Sequence, residues 1–512
     1  EFIPESYGTN TMPLSGWINT RSHPTASMDP ADATLTRRRY ATALRENIPA
    51  DQWSFGRDEG GIGLDGVARQ SAIVPSETNI YMESGFDPGW IYELVYTGKD
   101  PLVMGLGHLA VRDFISFLKY DDVDGAGTAN PVADIGIEKA YGWGRSQTGR
   151  IIRDFLYLGF NADAEGRQVF DGVLPHVAGG GLMWMNHRFA NAVCPAGQEH
   201  EDHYNCADRF PFSYAESTDH LTGKTDAILK RPDTDPLVIH SQTATEYWQR
   251  RGSLVHTDTQ GNDLEQPDTV RVFMWGSSEH FADPNLKKPS RGICQNLSNV
   301  VRTSMLFRAL LDALDTWATD GTAPPTSRCP RRDDETLVDM DTFRKGFPDI
   351  PGLALPSGPA NLPLLDFGPN FDSGILSNEP PKVTDADGYT LLIPATDSDG
   401  NDLGGVRAPM VSAPLATYTG WNLRARGFGT GAKYKFSGST VPLPESAKER
   451  QTTNDPRAAI LERYEDAGAY QAAIRAAAEA LVTDGLMLEE DIERCVEWAA
   501  DWDRDRHDLK TI

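Results

Sequence analysis

Apolar segments of strand length alternate with helical segments between residues 91 and 320, and this order constrains the fold more than any other feature. The apolar runs lie at 91–96, 137–143, 169–175, 236–240 and 270–275. Apolar residues at helical spacing lie between or after them, at 107–119, 147–160 and 296–319. Strands that alternate with helices form a mostly parallel sheet with helices on its faces. The sequence therefore predicts an α/β fold.

Changes in composition on either side of this region predict three parts. Residues 1–85 are rich in Pro, Gly, Thr and Ser and predict an extended N-terminal region. Residues 86–325 predict the α/β core, in which a polar and aromatic stretch at about 183–232 has the position of a cap insertion. Residues 326–512 predict an additional C-terminal region, a β-rich segment followed by terminal helices, packed on the core.

The charge of the chain excludes two classes of partner. The sequence has 48 Lys and Arg against 74 Asp and Glu, a net charge of −26. Such a field repels nucleic-acid phosphates and anionic membranes, and the basic clusters at 37–39 and 331–332 are too short to reverse it. No run of 18 apolar residues occurs, so we expect no membrane span. The expected partner is a small molecule.

The segment that carries chemistry joins a predicted strand to a predicted helix through Gly-x-Ser-x-x-Gly. Gly144 precedes Ser146 by two residues, Thr148 follows it by two, and Gly149 comes next. A nucleophilic serine on a strand-to-helix turn needs small neighbours, because the chain folds back tightly there. Thr148 departs from the usual glycine, so an ordinary turn with a serine N-cap is the alternative. The strand before and the helix after favour a nucleophile.

A serine hydroxyl needs a base that an acid orients, and both groups are expected at the carboxyl ends of later strands. His280 follows the strand 270–275, and we predict that it is the base; a solvated loop histidine is the alternative. Glu246 follows the strand 236–240 and is the predicted acid. Asp258 lies further from that strand end and is the alternative acid. Asp233 and Asp235 precede the strand, at its wrong end.

An oxyanion hole is expected beside the serine. The backbone N–H of Gln147 is the predicted first donor. The second donor stays open between the loop at 97–100 and Arg145, which is equally well explained as a surface charge.

Several segments together resemble a bacterial α/β-hydrolase-domain family whose members are largely uncharacterised. The resemblance covers roughly residues 40–505 and is carried by residues 91–96, 110–113, 141–161, 245–248 and 417–422. It implies an α/β-hydrolase fold. The family typically has Gln-His after the last strand, whereas this chain has Glu279-His280. The serine turn alone also resembles those of glucuronoyl esterases and tannase-like esterases, which tolerate a residue other than glycine after the serine.

The cap insertion is rich in aromatic and sulfur-containing side chains, which suggests a pocket for an apolar or aromatic group or, alternatively, a small core of the cap itself. These side chains are Met183, Trp184, Met185, Phe189, Tyr204, Phe210, Phe212 and Tyr214. We expect no metal and no cofactor. The segment 200–203 lacks the spacing of metal ligands, and the acidic segment 397–402 is better explained as a β-turn than as a calcium loop.

Five cysteines allow two disulfides or none. Pairs Cys194–Cys206 and Cys294–Cys329, with Cys495 left over, would fit an exported protein; five reduced cysteines would fit a cytoplasmic enzyme. We slightly favour a secreted or periplasmic location. The sequence opens Glu1-Phe2 without Met or signal peptide, which predicts a missing or processed start.

These observations predict a serine hydrolase that cleaves carboxylic esters through an acyl-enzyme. Ser146 is the expected nucleophile, His280 the base and Glu246 the acid. The alternatives are an amidase or peptidase, an acyltransferase on the same fold, and a hydrolase-fold protein that only binds a ligand. The serine, histidine and acid alone do not distinguish the first two from an esterase.

Overall fold

The computed structural model of the protein describes residues 9–14, 23–40, 43–62, 67–102, 104–185, 189, 206–281, 289–378 and 381–501. Cys194, the segment 200–203 and Tyr204, which the sequence singled out, lie outside these ranges. In the described ranges, no helix is both long and apolar enough to cross a membrane.

The strands are short except for one in the N-terminal region. In chain order they are β1 (Thr9–Pro13), β2 (Thr34–Arg38), β3 (Glu46–Ile48), β4 (Ser54–Asp58), β5 (Gly61–Ile62), β6 (Ala68–Arg69), β7 (Ile73–Phe86), β8 (Ile91–Val95), β9 (Tyr141–Arg145), β10 (Gly172–His176), β11 (Ser217–Thr218), β12 (Thr225–Asp226), β13 (Leu237–Thr243), β14 (Val270–Trp275), β15 (Leu297–Ser298), β16 (Leu337–Val338), β17 (Leu364–Asp366), β18 (Lys382–Asp385), β19 (Ile393–Pro394), β20 (Ala416–Thr419) and β21 (Ser439–Pro442).

The longest α-helices flank the sheet or lie near the C-terminus. In chain order the α-helices are α1 (Leu106–Tyr120), α2 (Gln147–Tyr157), α3 (Ala244–Gln249), α4 (Ser304–Asp320), α5 (Met340–Gly346), α6 (Pro409–Ser412), α7 (Ala447–Thr453), α8 (Ile460–Arg463), α9 (Ala467–Thr483) and α10 (Asp491–Trp498). Single 3-10 turns occur at Pro30–Asp32, Ala50–Gln52, Ala133–Ile135, Gly252–Val255, Phe371–Ser373 and Ala499–Asp501.

The centre of the fold is a parallel sheet with strand order β14-β13-β10-β9. Its strands and the flanking helices alternate along the chain, so the predicted α/β fold is confirmed. The side chains of β10, β13 and β14 are nearly all buried, as expected for parallel strands covered on both faces. The carboxyl ends of the four strands lie side by side, and the turns that follow β9, β13 and β14 therefore meet at one edge.

Helices cover the two faces of this sheet because successive strand side chains point to opposite sides. Phe155 of α2 packs in one buried cluster with Val173 of β10. Leu310 of α4 packs in another with Leu174, the next residue of β10. Each such apolar side chain contributes about 1.5–3 kcal/mol when fully buried. The two clusters fix α2 and α4 on either side of the strands that carry the site.

The segment predicted as the first strand of the alternating region forms a strand, but in a different sheet. β8 pairs antiparallel with β2, which also pairs with β3. A second antiparallel sheet has the order β1-β7-β4, and Leu35, Trp53, Ile80 and Tyr92 share one core in this part of the chain. The N-terminal region, which was expected to be extended, thus contains antiparallel strands. An apolar run predicts a strand, but it does not determine which strand pairs with it.

Two further segments, the helix expected from residue 296 and the apolar run at 389–393, differ from the prediction. The helix expected from residue 296 begins at Ser304, since Leu297 and Ser298 pair antiparallel with β21. In the C-terminal region, where a β-rich segment was expected, the apolar run 389–393 is mostly irregular: only Ile393 belongs to β19, and Tyr389 and Leu392 are buried outside any strand.

The C-terminal helices share a core with the central sheet. Tyr470, Ile474 and Leu481 of α9 belong to the same buried cluster as Leu310 of α4 and Phe273 of β14. This region therefore packs directly on the strands behind the site. The boundaries drawn at residues 85 and 325 stay a prediction.

The described aromatic residues of the cap insertion pack mainly against the C-terminal region. Trp184 stacks on Phe371, with 4.5 Å between ring centroids and 10° between planes. Phe212 meets Tyr389 edge to face at 5.0 Å. Most of these side chains are buried, which favours a packing role over an open pocket.

One of the two expected disulfides is excluded. Cys329 carries a free thiol, so the pairing of Cys294 with Cys329 is wrong. Burial raises the pKa of Cys329 to about 12, which keeps the thiol protonated. The other expected pair involves Cys194, which lies outside the described residues.

Candidate active site

Ser146 stands alone between the end of β9 and the start of α2. Its backbone angles are φ 57° and ψ −115°, a conformation that L-residues rarely adopt. The N–H of Ser146 donates to the carbonyl oxygen of His176 at 2.8 Å. Such a conformation costs about 1–3 kcal/mol and persists where the surrounding structure holds it, often at functional sites. The turn has the geometry that the sequence predicted for a nucleophile.

Two glycines make this turn possible. A Cβ on Gly144 would lie 2.3 Å from the carbonyl oxygen of Thr148, and one on Gly149 would lie 2.8 Å from that of His176. Thr148 itself is exposed, and its Oγ1 accepts from the N–H of Arg145 at 2.8 Å. The threonine therefore fits where a glycine was expected, because the close approach occurs at Gly149.

Replacing Gly144 with alanine tests this close approach. We expect a loss of about 3 kcal/mol or more in the free energy of unfolding, because backbone atoms must move to admit the new Cβ. Gly107→Ala is the matched control, since no atom lies within 4 Å of its added Cβ. The control should be neutral or stabilising by up to about 1 kcal/mol. Equal urea midpoints for the two variants would contradict the prediction.

His280 follows β14 by a short loop and lies between the other two predicted residues. Its Nε2 is 2.8 Å from Ser146 Oγ, and its Nδ1 is 2.5 Å from Glu246 Oε1. The imidazole is 2% exposed. The structure thus brings the three predicted side chains into one hydrogen-bonded row, and their catalytic roles stay a prediction.

Glu246 lies in the first turn of α3, where it is fully buried. Its Oε2 accepts from the N–H of Thr243 at 2.8 Å and from the Thr243 hydroxyl. Burial alone would raise the pKa of Glu246, but the interaction with His280 and the bonds from Thr243 outweigh it and hold the pKa below its usual value. The carboxylate is therefore charged at neutral pH.

The alternative acid is used elsewhere. Asp258 lies in an exposed turn, where its carboxylate accepts from the N–H groups of Gln260 and Asn262, both at 2.9 Å. Each of these bonds is local to the turn. Asp258 therefore stabilises its own turn, and Glu246 is the acid that contacts His280.

The three groups that were candidates for oxyanion donors differ in their contacts. Gln147 is the first residue of α2, where backbone N–H groups point out of the helix beside Ser146. Arg145 donates from its guanidinium to the carbonyl oxygen of His280 at 2.9 Å, so it binds the histidine loop. In the loop at 97–100, Gly98 bridges to Thr25 and Lys99 pairs with Glu77. The second donor stays unassigned.

His176 is a neighbour of the site that the sequence did not indicate. It ends β10, and its Nδ1 lies 2.8 Å from the Oγ of Ser241 on β13. Burial lowers the pKa of His176 to about 3, so the ring is neutral at physiological pH. Its position beside Ser146 follows from the strand register, which pairs Arg145 with His176 and cannot be deduced from spacing alone.

Two buried carboxyl groups connect the loop of His280 to the C-terminal region. Glu279 accepts from the N–H of Gly438 at 2.7 Å, and Asp402 accepts from the N–H of Ser277 at 2.5 Å. Burial raises the pKa of each carboxyl to about 7. The loop that carries His280 is therefore held by residues far along the chain.

The described residues contain no cluster of three or more His, Cys, Asp or Glu side chains that could hold a metal ion. In the acidic segment 397–402, the carboxylate of Asp397 accepts from the N–H groups of Asp399 and Asn401 at 2.9 and 3.0 Å. It also pairs with Arg407 at 2.8 Å. These bonds are those of a turn, as the sequence predicted.

A family model for the alpha/beta hydrolase domain matches residues 16–497. The chain belongs to the alpha/beta hydrolase domain family. No curated protein and no solved structure matches it. The matched residues include β2 to β8 of the N-terminal sheets and most of α10, so the family match covers the N-terminal and C-terminal regions as well as the parallel sheet.

In this alpha/beta hydrolase, one contact of the predicted base, His280, has no signal in the sequence. The ring of Phe436 stacks on the imidazole of His280 with 4.5 Å between centroids. Phe436 lies in an irregular segment before β21, and no local pattern connects it with the strands of the sheet. Only the folded chain brings the two rings together.

Proposed function

We propose that this alpha/beta hydrolase is a serine esterase, which cleaves carboxylic esters through an acyl-enzyme. Ser146 is the nucleophile, His280 the general base and acid, and Glu246 the acid that orients the imidazole. The observation that carries the proposal is the pair of distances in the row: 2.8 Å from Ser146 Oγ to His280 Nε2, and 2.5 Å from His280 Nδ1 to Glu246 Oε1.

In the acylation step, Ser146 Oγ attacks the ester carbonyl carbon while His280 Nε2 takes the hydroxyl proton. The carbonyl oxygen becomes an oxyanion, which the N–H of Gln147 and the positive end of α2 stabilise. The carbon–oxygen bond to the alcohol then breaks, and His280 returns the proton to the leaving oxygen. The alcohol departs, and the acyl group stays on Ser146.

In the deacylation step, water replaces the alcohol. His280 takes a proton from the water as its oxygen attacks the acyl carbon. The bond between that carbon and Ser146 Oγ then breaks, His280 gives the proton to Oγ, and the carboxylic acid departs. Glu246 accepts from Nδ1–H throughout, which leaves Nε2 without a proton in the resting state. Because its carboxylate is charged, Glu246 also stabilises the imidazolium that forms in each step.

The side chains beside His280 support an ester with an apolar or aromatic group. His280 protonates the leaving alcohol, so the alcohol part of the substrate lies on the side of this residue. Phe281 adjoins it there, with 5.1 Å between the two ring centroids and a side chain that is 46% exposed. An exposed aromatic ring at this position offers a surface for an apolar alcohol group.

A fluorophosphonate probe tests the nucleophile directly. We expect one equivalent to attach to the folded protein, with Ser146 as the labelled residue in peptide mass spectra, and heat-denatured protein to stay unlabelled. Labelling requires the base and the turn together, so a denatured control separates activated serine from chance reactivity. Absence of labelling on folded protein would overturn the proposal and favour a ligand-binding protein.

A matched substrate panel tests the reaction class. A phenyl ester, the corresponding anilide and the same ester with added acceptor alcohol are compared at equal concentrations. We expect hydrolysis of the ester to be the fastest reaction. Faster cleavage of the anilide would indicate an amidase, and diversion of the acyl group to the alcohol would indicate an acyltransferase.

A further inference from the structure

The C-terminal region contributes an aromatic wall to the imidazole of His280. The two rings of Phe436 and His280 are nearly parallel, with 23° between their planes and 4.5 Å between their centroids. Phe281 meets both of them edge-on, at 5.1 Å from His280 and 6.1 Å from Phe436. Phe436 therefore covers one face of the proposed base.

The backbone of Phe436 has a strained conformation. Its φ angle is 51°, in the left-handed region that bulky residues rarely adopt and that glycine adopts freely. The side chain is nevertheless a large ring that is 4% exposed. A bulky residue keeps such an angle only where the surrounding structure holds it.

One side chain from α3 and one from the loop before His280 hold this conformation. Gln249, at the end of α3, accepts from the N–H of Phe436 at 2.7 Å. Glu279, next to His280, accepts from the N–H of Gly438 at 2.7 Å. The helix that carries Glu246 and the loop that carries His280 thus each bind the segment that carries the ring. This arrangement fixes Phe436 relative to His280 and Glu246 together.

An aromatic face attracts a cation, and His280 becomes one when it takes a proton. The other charged groups that face it act in opposite directions: Glu246 favours the imidazolium at Nδ1, and the Arg145 guanidinium at the His280 carbonyl disfavours it. His176 is neutral. His280 is 2% exposed, so water stabilises its imidazolium form little. The ring face of Phe436 therefore adds to the stabilisation of the imidazolium by Glu246, and it does so without a further charge.

We propose that Phe436 is a positioning residue of the reaction: its ring stabilises the imidazolium form of His280 and keeps the imidazole aligned between Ser146 and Glu246. This inference rests on the proposed function. It assigns to the C-terminal region a direct part in the chemistry, through contact with the base.

The first test is Phe436→Leu, which keeps an apolar side chain and removes the aromatic face. We expect kcat for a phenyl ester to fall about tenfold with little change in KM, since the effect arises when the base is protonated. The acid limb of the kcat/KM profile should move to lower pH by up to about one unit, because a less stable imidazolium loses its proton more easily. Phe436→Tyr, which keeps the aromatic face, should restore both values.

The second test keeps the shape of the ring and reverses its electrostatics. Phe436→pentafluorophenylalanine places a positive ring face on His280, so the acid limb should move in the same direction as in Phe436→Leu. Phe343→pentafluorophenylalanine is the matched control, because Phe343 packs against Trp248 and Phe347 and is buried elsewhere. The control should leave the profile unchanged. If the leucine variant fails to fold, these two pentafluorophenylalanine variants still test the role of Phe436.

The rate of fluorophosphonate labelling, measured against pH, separates failure of this inference from failure of the proposed function. A parent protein that is not labelled would overturn the proposed function itself. A labelled and active parent whose acid limb is the same in the leucine and pentafluorophenylalanine variants would overturn only the role of Phe436. A lower rate with an unmoved limb would likewise overturn it, because loss of packing alone would explain that result.

Discussion

Ser146→Ala is expected to lower kcat/KM for a short aryl ester such as p-nitrophenyl acetate by at least about 10⁴-fold. The variant keeps the strained turn and the buried row of His280 and Glu246, but it has no oxygen to attack the carbonyl. The remaining activity would come from bound water and the N–H donors at the start of α2. Steady-state hydrolysis followed by absorbance measures the loss, and circular dichroism should show an unchanged fold.

Ser241→Ala is the matched control for this experiment. Ser241 lies near the carboxyl end of β13, which β10 separates from β9 in the sheet, and its hydroxyl contacts His176 rather than His280. We expect its kcat/KM to stay within a few-fold of the parent value. If the Ser146 variant hydrolysed aryl esters as fast as the parent, the esterase mechanism would be wrong. If both variants lost activity equally, disturbance of the strand ends would explain the loss.

Glu246→Gln is expected to lower kcat by about 10³- to 10⁴-fold, with the fold retained. An amide can donate to Nδ1 of His280, which places the imidazole proton on Nε2 and prevents it from accepting the proton of Ser146. The amide also carries no charge to stabilise the imidazolium. Hydrolysis rates at the pH optimum of the parent measure the effect. Asp258→Asn is the control, because its turn is separate from the site, and a comparable loss there would contradict the assignment of the acid.

The same variant has a predicted effect on the pH dependence of stability. The pKa of Glu246 is lower in the folded protein than its ordinary value of 4.5. The ionised carboxylate therefore stabilises the fold above about pH 4.5, and this contribution is lost as the pH falls through the lower, folded-state value. Thermal unfolding between pH 3 and pH 7 should show a smaller acid loss of stability for Glu246→Gln than for the parent. An equal loss would mean that the pKa is not lowered.

The candidate site could be predicted from sequence to the extent that it depends on strand ends. Ser146, Glu246 and His280 each lie shortly after the end of a strand of the sheet, and parallel strands bring their carboxyl ends to one edge. The contacts of His176 and Phe436 with the site could not be predicted in this way. One depends on strand register and the other on a positive φ angle in a distant segment, and neither leaves a periodic pattern in the sequence.

In the fold, too, the elements that depend on local sequence pattern could be predicted, and the pairings between distant segments could not. The alternation of strands and helices predicts the parallel sheet, because a buried strand needs a continuous apolar run. The apolar run at 91–96 has the same local pattern and joins an antiparallel sheet instead, since its partner is chosen by tertiary packing. The helix expected from residue 296 is shortened for the same reason: its first residues pair with a strand from the C-terminal region.

The anchoring of the His280 loop by Asp402 and Gly438 has a consequence for how the protein is made. A ribosome releases Ser146, Glu246 and His280 well before it releases those two residues. A chain still in synthesis therefore carries every group of the proposed reaction, but not the segment that aligns them. We expect ester hydrolysis to begin only when translation is nearly complete, and nascent chains stalled before residue 402 to be inactive even though each reactive side chain has already emerged.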